Sequence, residues 1–228
     1  MTDPAPRQLA LPSWSAGDVA VATMACVIAL SFVLGADLGP QAGLLAVSGT
    51  AGLGALTGAA RHGRHGLRGL IGRVPDLADL GASVRLGVIA WMALTFVLGG
   101  AAIGIEQLLD IEILNTNQDD IARLAGGTGP GPAAVAVSIM LAAPICEELL
   151  FRGVLLGWAA NRWGRTVGTV VSAAVFGAVH AQPYTGLVTA LLGAALARMT
   201  LDRGGVLPAV VAHATFNTIG FAFIRLTP

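Results

Sequence analysis

Apolar runs, separated by polar or Gly/Pro breaks, divide the chain into seven stretches at about 17–35, 41–60, 84–105, 132–160, 166–181, 184–201 and 206–225. Most are close to the ~20 apolar residues that carry an α-helix across a bilayer. The pattern therefore predicts an all-α, multi-pass transmembrane bundle of about seven spans. The apolar run Val19–Leu34 has no clear small-residue cleavage site, so it is expected to be a retained first span and not a removed signal peptide. Residues 106–130 form the longest polar insertion. Within it, ILNTNQDDIARLA predicts a short surface helix and GGTGPGP a hinge into the fourth span.

Composition sharpens this picture. Of 228 residues, 55% are hydrophobic and only 11% are charged. Soluble domains carry about a quarter charged residues, and disorder needs high charge with low hydrophobicity, so both classes are excluded. Thirteen basic residues, all of them Arg, balance thirteen acidic ones. That balance speaks against nucleic acid or another polyanion as partner. The two cysteines, Cys26 and Cys146, lie in apolar runs and suggest neither a disulfide framework nor a cysteine zinc site. Glycine pairs four apart (Gly35/Gly39, Gly54/Gly58, Gly100/Gly104, Gly153/Gly157 and Gly164/Gly168) suit close helix packing within one bundle.

The charges that remain set an orientation. Arg61, Arg64, Arg68 and Arg73 fall in the break after the second stretch, Arg162 and Arg165 after the fourth, and Arg203 after the sixth. Glu106, Asp110, Glu112, Asp119 and Asp120 crowd the insertion before the fourth, against Arg123 alone. Positive residues stay inside. Residues 61–83, 161–165 and 202–205 are thus expected in the cytoplasm of a cell-membrane protein, with the N-terminus inside and the C-terminus outside. Trp14, Trp91, Trp158 and Trp163 fall near the cytoplasmic ends of spans, where interfacial indoles belong. His62 and His65, in the Arg-rich break, are expected to be solvated.

Ionisable residues inside a span are costly and therefore point to function. Three groups stand out: Glu147, Glu148 and Arg152 in APICEELLFRG; Phe176 and His180 in VFGAVH; and His213 and Asn217 in VVAHATFN. Glu148 and Arg152 are i,i+4 and can pair, which leaves Glu147 turned about 100° away toward another neighbour. Glu147 and His180 each lie about fifteen residues from the Asn161–Arg165 turn, roughly 22 Å deep on antiparallel helices. His213 and Asn217 lie roughly 14 to 20 Å beyond Gly204 by the same rise. One cavity within the bundle can hold all four.

A carboxylate and a histidine can hold and deprotonate a water. A second histidine and an asparagine can hydrogen-bond the oxygen that turns negative when that water attacks a carbonyl. Simpler roles exist for each part. Pro144 could start a helix with the two Glu in its first turn, although the apolar run Ala133–Cys146 argues against it. A lone intramembrane His is often a packing element. Cys146 could be a thiol nucleophile, but a buried Cys is more often a small hydrophobe.

At these residues the chain resembles the CPBP intramembrane proteases, the family of the type II CAAX prenyl endopeptidases and the Abi-like bacteriocin proteins. The family pattern E-E-x-x-x-R, F-x-x-x-H, H-x-x-x-N reads here as EELLFR at 147–152, FGAVH at 176–180 and HATFN at 213–217. The resemblance covers about residues 130–225. It implies a catalytic helical core at 130–228, preceded by accessory helices at 1–129, within one integral membrane domain whose cavity lies inside the bilayer. By position it implies that Glu147 and His180 activate water, that His213 and Asn217 stabilise the oxyanion, and that Glu148, Arg152 and Phe176 support them. No cofactor is favoured. Zinc held by Glu147, His180 and His213 is the alternative, without an H-E-x-x-H helix to announce it. The expected partners are a peptide or protein substrate in the membrane and the lipid bilayer itself. The competing functions are a non-catalytic membrane protein, for instance in bacteriocin immunity, and, ranked last for want of an internal repeat, a proton-coupled transporter.

Overall fold

The computed structural model describes residues 13–36, 38–114, 118–126 and 130–226. Their regular structure is helical: α1 (Ala16–Gly35), α2 (Pro40–Ala60), α3 (Gly63–Ile71), α4 (Leu77–Met92), α5 (Gly99–Leu109), α6 (Gln118–Ala125), α7 (Pro130–Val137), α8 (Ala143–Glu148), α9 (Leu156–Ala178), α10 (Pro183–Arg203) and α11 (Leu207–Leu226). Three π-helical segments, Ala93–Leu98, Ser138–Ala142 and Leu149–Leu155, join α4 to α5, α7 to α8 and α8 to α9. Large apolar side chains such as Phe32, Ile89, Val97 and Leu108 point outward, as lipid contact requires. The protein is an all-α multi-pass membrane bundle.

Six helical units are long and apolar enough to cross a membrane: Ala16–Gly35, Ala42–Ala60, Leu77–Leu109, Pro130–Ala178, Pro183–Arg203 and Leu207–Leu226. The fourth has 49 residues, far more than the ~20 of one crossing. It contains both stretches read separately at 132–160 and 166–181. The chain reverses between them at Gly164, whose φ of 86° and ψ of 165° are not helical; glycine adopts such a φ without the steric cost a Cβ would bring. Across the reversal Ser172 Oγ donates to Phe151 O at 2.9 Å, and the rings of Phe151 and Phe176 meet at 5.0 Å. The two arms are antiparallel neighbours.

The third span differs in length from the apolar stretch at 84–105, because caps and not hydropathy set where the helix begins. Asp76 and Asp79 form a capping box that starts α4 at Leu77. Trp91 consequently lies deep in the span, ~21 Å from Leu77, with Phe96 and Phe223 against its ring. Trp14 is also no interfacial indole: it is 5% exposed and donates to Gly153 O at 2.6 Å. Trp158 and Trp163 meet edge to face beside the Gly164 reversal.

The Arg-rich breaks gather at one end of the bundle. Arg73 and Arg203 both bind Asp79. Gly72 and Gly205 form an antiparallel bridge, and Arg165 pairs with Asp202. His62 is not simply solvated: with Arg61 it binds the buried carboxylate of Asp18, at 3.0 and 3.2 Å. In the acidic insertion, Glu106 Oε1 accepts from the amides of Ile113 and Leu114 at 2.5 and 2.6 Å. The expected surface helix is α6. The expected hinge falls partly on residues 127–129, outside the described residues, as do the side chains of Asp119 and Asp120.

The glycine pairs divide by environment. A Cβ on Gly54 would lie 2.5 Å from Ala22 O, so α1 and α2 touch backbone to backbone there, whereas Gly35, Gly39, Gly100 and Gly104 have nothing within 4 Å.

Candidate active site

Pro144 sits inside a continuous helical path running from α7 through α8 into α9, so it does not start a helix. Proline removes one amide donor and crowds the carbonyl four residues before it. The π-helical turn Ser138–Ala142, immediately upstream, takes up that disruption. The result is a span that carries Glu147 and Glu148 to mid-depth, followed by a second π turn, Leu149–Leu155, that holds Arg152.

Glu148 is the centre of the charge arrangement. Its Oε1 accepts from Arg152 Nη1 at 3.0 Å and from His213 Nδ1 at 2.9 Å. Glu148 and Arg152 are both 0% exposed and His213 is 4% exposed. The expected Glu148–Arg152 pair is therefore present. The link from Glu148 to His213 was not anticipated, because nothing local ties residues 65 positions apart. Glu148 Oε2 and Arg152 Nε and Nη2 are buried without a hydrogen-bond partner. The guanidinium is instead held by a ring, with its carbon 4.3 Å from the centre of Phe176, a cation–π contact strengthened by desolvation.

Phe176 organises the rest. Its ring lies 5.0 Å from that of His180 and 5.8 Å from that of His213, both edge-on. Its carbonyl meets His180 Nδ1 at 2.8 Å. A carbonyl only accepts, so Nδ1 carries the proton, and Nε2 of a neutral His180 is left as an acceptor. The same logic applies to His213, whose Nδ1 donates to a carboxylate. Its Nε2 faces Glu147 Oε2 at 4.0 Å, too far for a direct hydrogen bond. Glu147 keeps 23% side-chain exposure and interacts electrostatically with both His213 and His180. Asn217, one turn beyond His213, donates from Nδ2 to Ile139 O at 2.9 Å, in the π turn before Pro144.

The three motifs thus meet from α8, α9 and α11. Glu148, Arg152, Phe176, His180 and His213 form one contact network with Glu147 at its edge. Asn217 is anchored to the same span one turn away. Among the described residues no group of three or more His, Cys, Asp or Glu is arranged to hold a metal ion. Cys146 lies against Gly52, where a Cβ would be 2.7 Å from its Sγ.

One contributor carries no motif. Gly193 on α10 is buried, and a Cβ there would lie 3.0 Å from both Arg152 Nη2 and Phe176 Cδ1. Its only signal in the sequence is a small residue in an apolar helix, which is common. Gly193→Ala is expected to lower stability by about 1–3 kcal/mol through overpacking, measured by thermal unfolding in detergent. The penalty should shrink when Phe176 is also cut to Leu, and an equal penalty in both backgrounds would show that Gly193 does not press on this pair.

Known proteins resemble part of the chain. Residues 129–219 match the family described as type II CAAX prenyl endopeptidase Rce1-like. An uncharacterised 24.3 kDa protein of Escherichia coli is 31% identical over 100 residues, which cover 41% of this chain and 46% of that protein. The chain thus spans just under half the length of this relative. No solved structure matches. The matched segment contains all of Glu147, Glu148, Arg152, Phe176, His180, His213 and Asn217. Residues 129–219 are accordingly similar to the type II CAAX prenyl endopeptidase Rce1-like family.

Proposed function

We propose that the protein is an intramembrane endopeptidase that hydrolyses a peptide bond near the C-terminus of a membrane-associated or lipidated peptide. The observation that carries this reading is the setting of Glu147. It is an intramembrane carboxylate with some access, beside two histidines whose Nδ1 atoms are already engaged. Water held between Glu147 and His180 Nε2 loses its proton to Glu147 and attacks the carbonyl carbon. The carbonyl oxygen gains the negative charge. His213, whose Nδ1 is engaged by Glu148, can donate to it from Nε2 only when both ring nitrogens carry protons. Arg152 offsets the charge of Glu148, and Phe176 holds Arg152 in place. Asn217 supplies a second donor through the amide hydrogen not given to Ile139. As the tetrahedral intermediate collapses, Glu147 returns the proton to the leaving nitrogen, so the carbon–nitrogen bond breaks with atoms and charge in balance. None of these steps requires a metal ion.

The test compares membrane peptides from cells carrying the wild-type protein with those from cells carrying Glu147→Gln. A peptide shortened only by the wild type supports the reading. Identical profiles from the two, with both proteins present in the membrane, would overturn it. A non-catalytic role in immunity or partner binding would survive the substitution.

A further inference from the structure

The Arg-rich end of the bundle has more positive charge than its own acids can match. Asp18 is taken by Arg61 and His62, Asp76 by Arg73, Asp79 by Arg73 and Arg203, and Asp202 by Arg165. Arg64 and Arg68, both exposed on α3, pair with no carboxylate among the described residues.

The shape of α3 says where they point. Gly66 and Leu70 are its buried face. A Cβ on Gly66 would lie 2.1 Å from Ala59 O, and one on Gly153 would lie 2.6 Å from Leu70 Cδ1. At about 100° per residue, Arg64, Leu67, Arg68 and Ile71 fall within an arc of roughly 100° on the opposite side. Leu67 is 39% exposed and Ile71 41% exposed, so this outer face alternates two cations with two large apolar side chains. A face turned to bulk water has no use for Leu67 and Ile71, and one turned to hydrocarbon would not carry two arginines. The pattern belongs to a helix lying in the headgroup layer, with apolar side chains at the acyl boundary and cations among the phosphates.

We propose that the outer face of α3 is a binding surface for anionic phospholipid headgroups, with Arg64 and Arg68 as the phosphate-binding groups and Leu67 and Ile71 as its apolar anchors. Bidentate guanidinium–phosphate contacts suit arginine at such a site. The buried face of the same helix rests on Gly153, next to Arg152, so headgroup binding braces the span that carries the candidate active site.

The test uses the full-length protein in nanodiscs of phosphatidylcholine, with or without phosphatidylglycerol. The wild type should unfold at a higher temperature in the anionic discs, and added salt should shrink that difference. Arg64→Gln/Arg68→Gln should lose most of it, while Arg64→Lys/Arg68→Lys should keep a large part. In native mass spectrometry the preference for retained phosphatidylglycerol should fall about fivefold per arginine removed. Arg85→Gln, which removes an exposed cation from α4, should leave the difference in place. Equal unfolding in the two lipids would overturn the proposal. So would a Gln double variant that keeps the full difference, or an Arg85→Gln loss as large as that of the double variant. Inorganic phosphate that stabilises the protein in phosphatidylcholine discs to the same extent would assign the arginines to a soluble anion instead.

Discussion

Glu147→Gln is expected to lower kcat for peptide cleavage by about two to four orders of magnitude, the usual contribution of a positioned general base. The amide keeps the shape of the side chain but cannot take a proton from water. Because Glu147 lies at the edge of the network and is not among its fully buried members, the variant should fold and unfold like the wild type. His180→Ala should fall into the same range, since it removes the Nε2 acceptor that the Phe176 carbonyl leaves open. KM should change little in either variant, because both groups act on water and not on the bulk of the peptide. The measurement is cleavage of a membrane peptide by purified protein, with thermal unfolding run in parallel. Retention of wild-type kcat by both variants would remove the basis for the mechanism.

The second large effect concerns stability. Arg152→Met should destabilise the protein by about 3–5 kcal/mol, the cost of leaving a buried charge without its partner. Glu148 would then sit at 0% exposure with only His213 to balance it. Adding Glu148→Gln should recover most of that stability, since an apolar residue and a neutral amide can replace a buried ion pair at little net cost. Activity should not return with it: His213 would still lack the carboxylate that holds its Nδ1. Chemical denaturation in detergent together with the cleavage assay separates the two outcomes. A double variant no more stable than Arg152→Met would show that the pair is not held as described.

Much of this site could be read from the linear order of residues. The Asn161–Arg165 turn places Glu147 and His180 at equal depths, and helical spacing alone suggests the Glu148–Arg152 pair. Both are local or nearly local relations. A reversal with known arm lengths maps one arm onto the other, and a helix repeats every 3.6 residues. The limits of such reasoning show at His213, which its motif groups with Asn217 for one task. The fold instead gives His213 to Glu148 and anchors Asn217 to Ile139 O. The start of the third span at Leu77 was hidden for a different reason: hydropathy marks where a chain is apolar, while Asp76 and Asp79 mark where a helix is capped.

By itself the sequence determined that the chain is a membrane helix bundle, and it marked Glu147, Glu148, Arg152, His180 and His213 inside the spans as candidates for a function. That follows because burying charge in hydrocarbon is too costly to occur without a use. Tertiary structure alone decided the partners: Glu148 with His213, Arg152 with Phe176 and Gly193, Asp18 with Arg61 and His62, and the outward turn of Arg64 and Arg68. Each of these depends on which helices are neighbours and how each is rotated about its axis. Many packings of the same apolar helices bury similar surface, so periodicity does not distinguish them. Only the joint satisfaction of these few polar groups does.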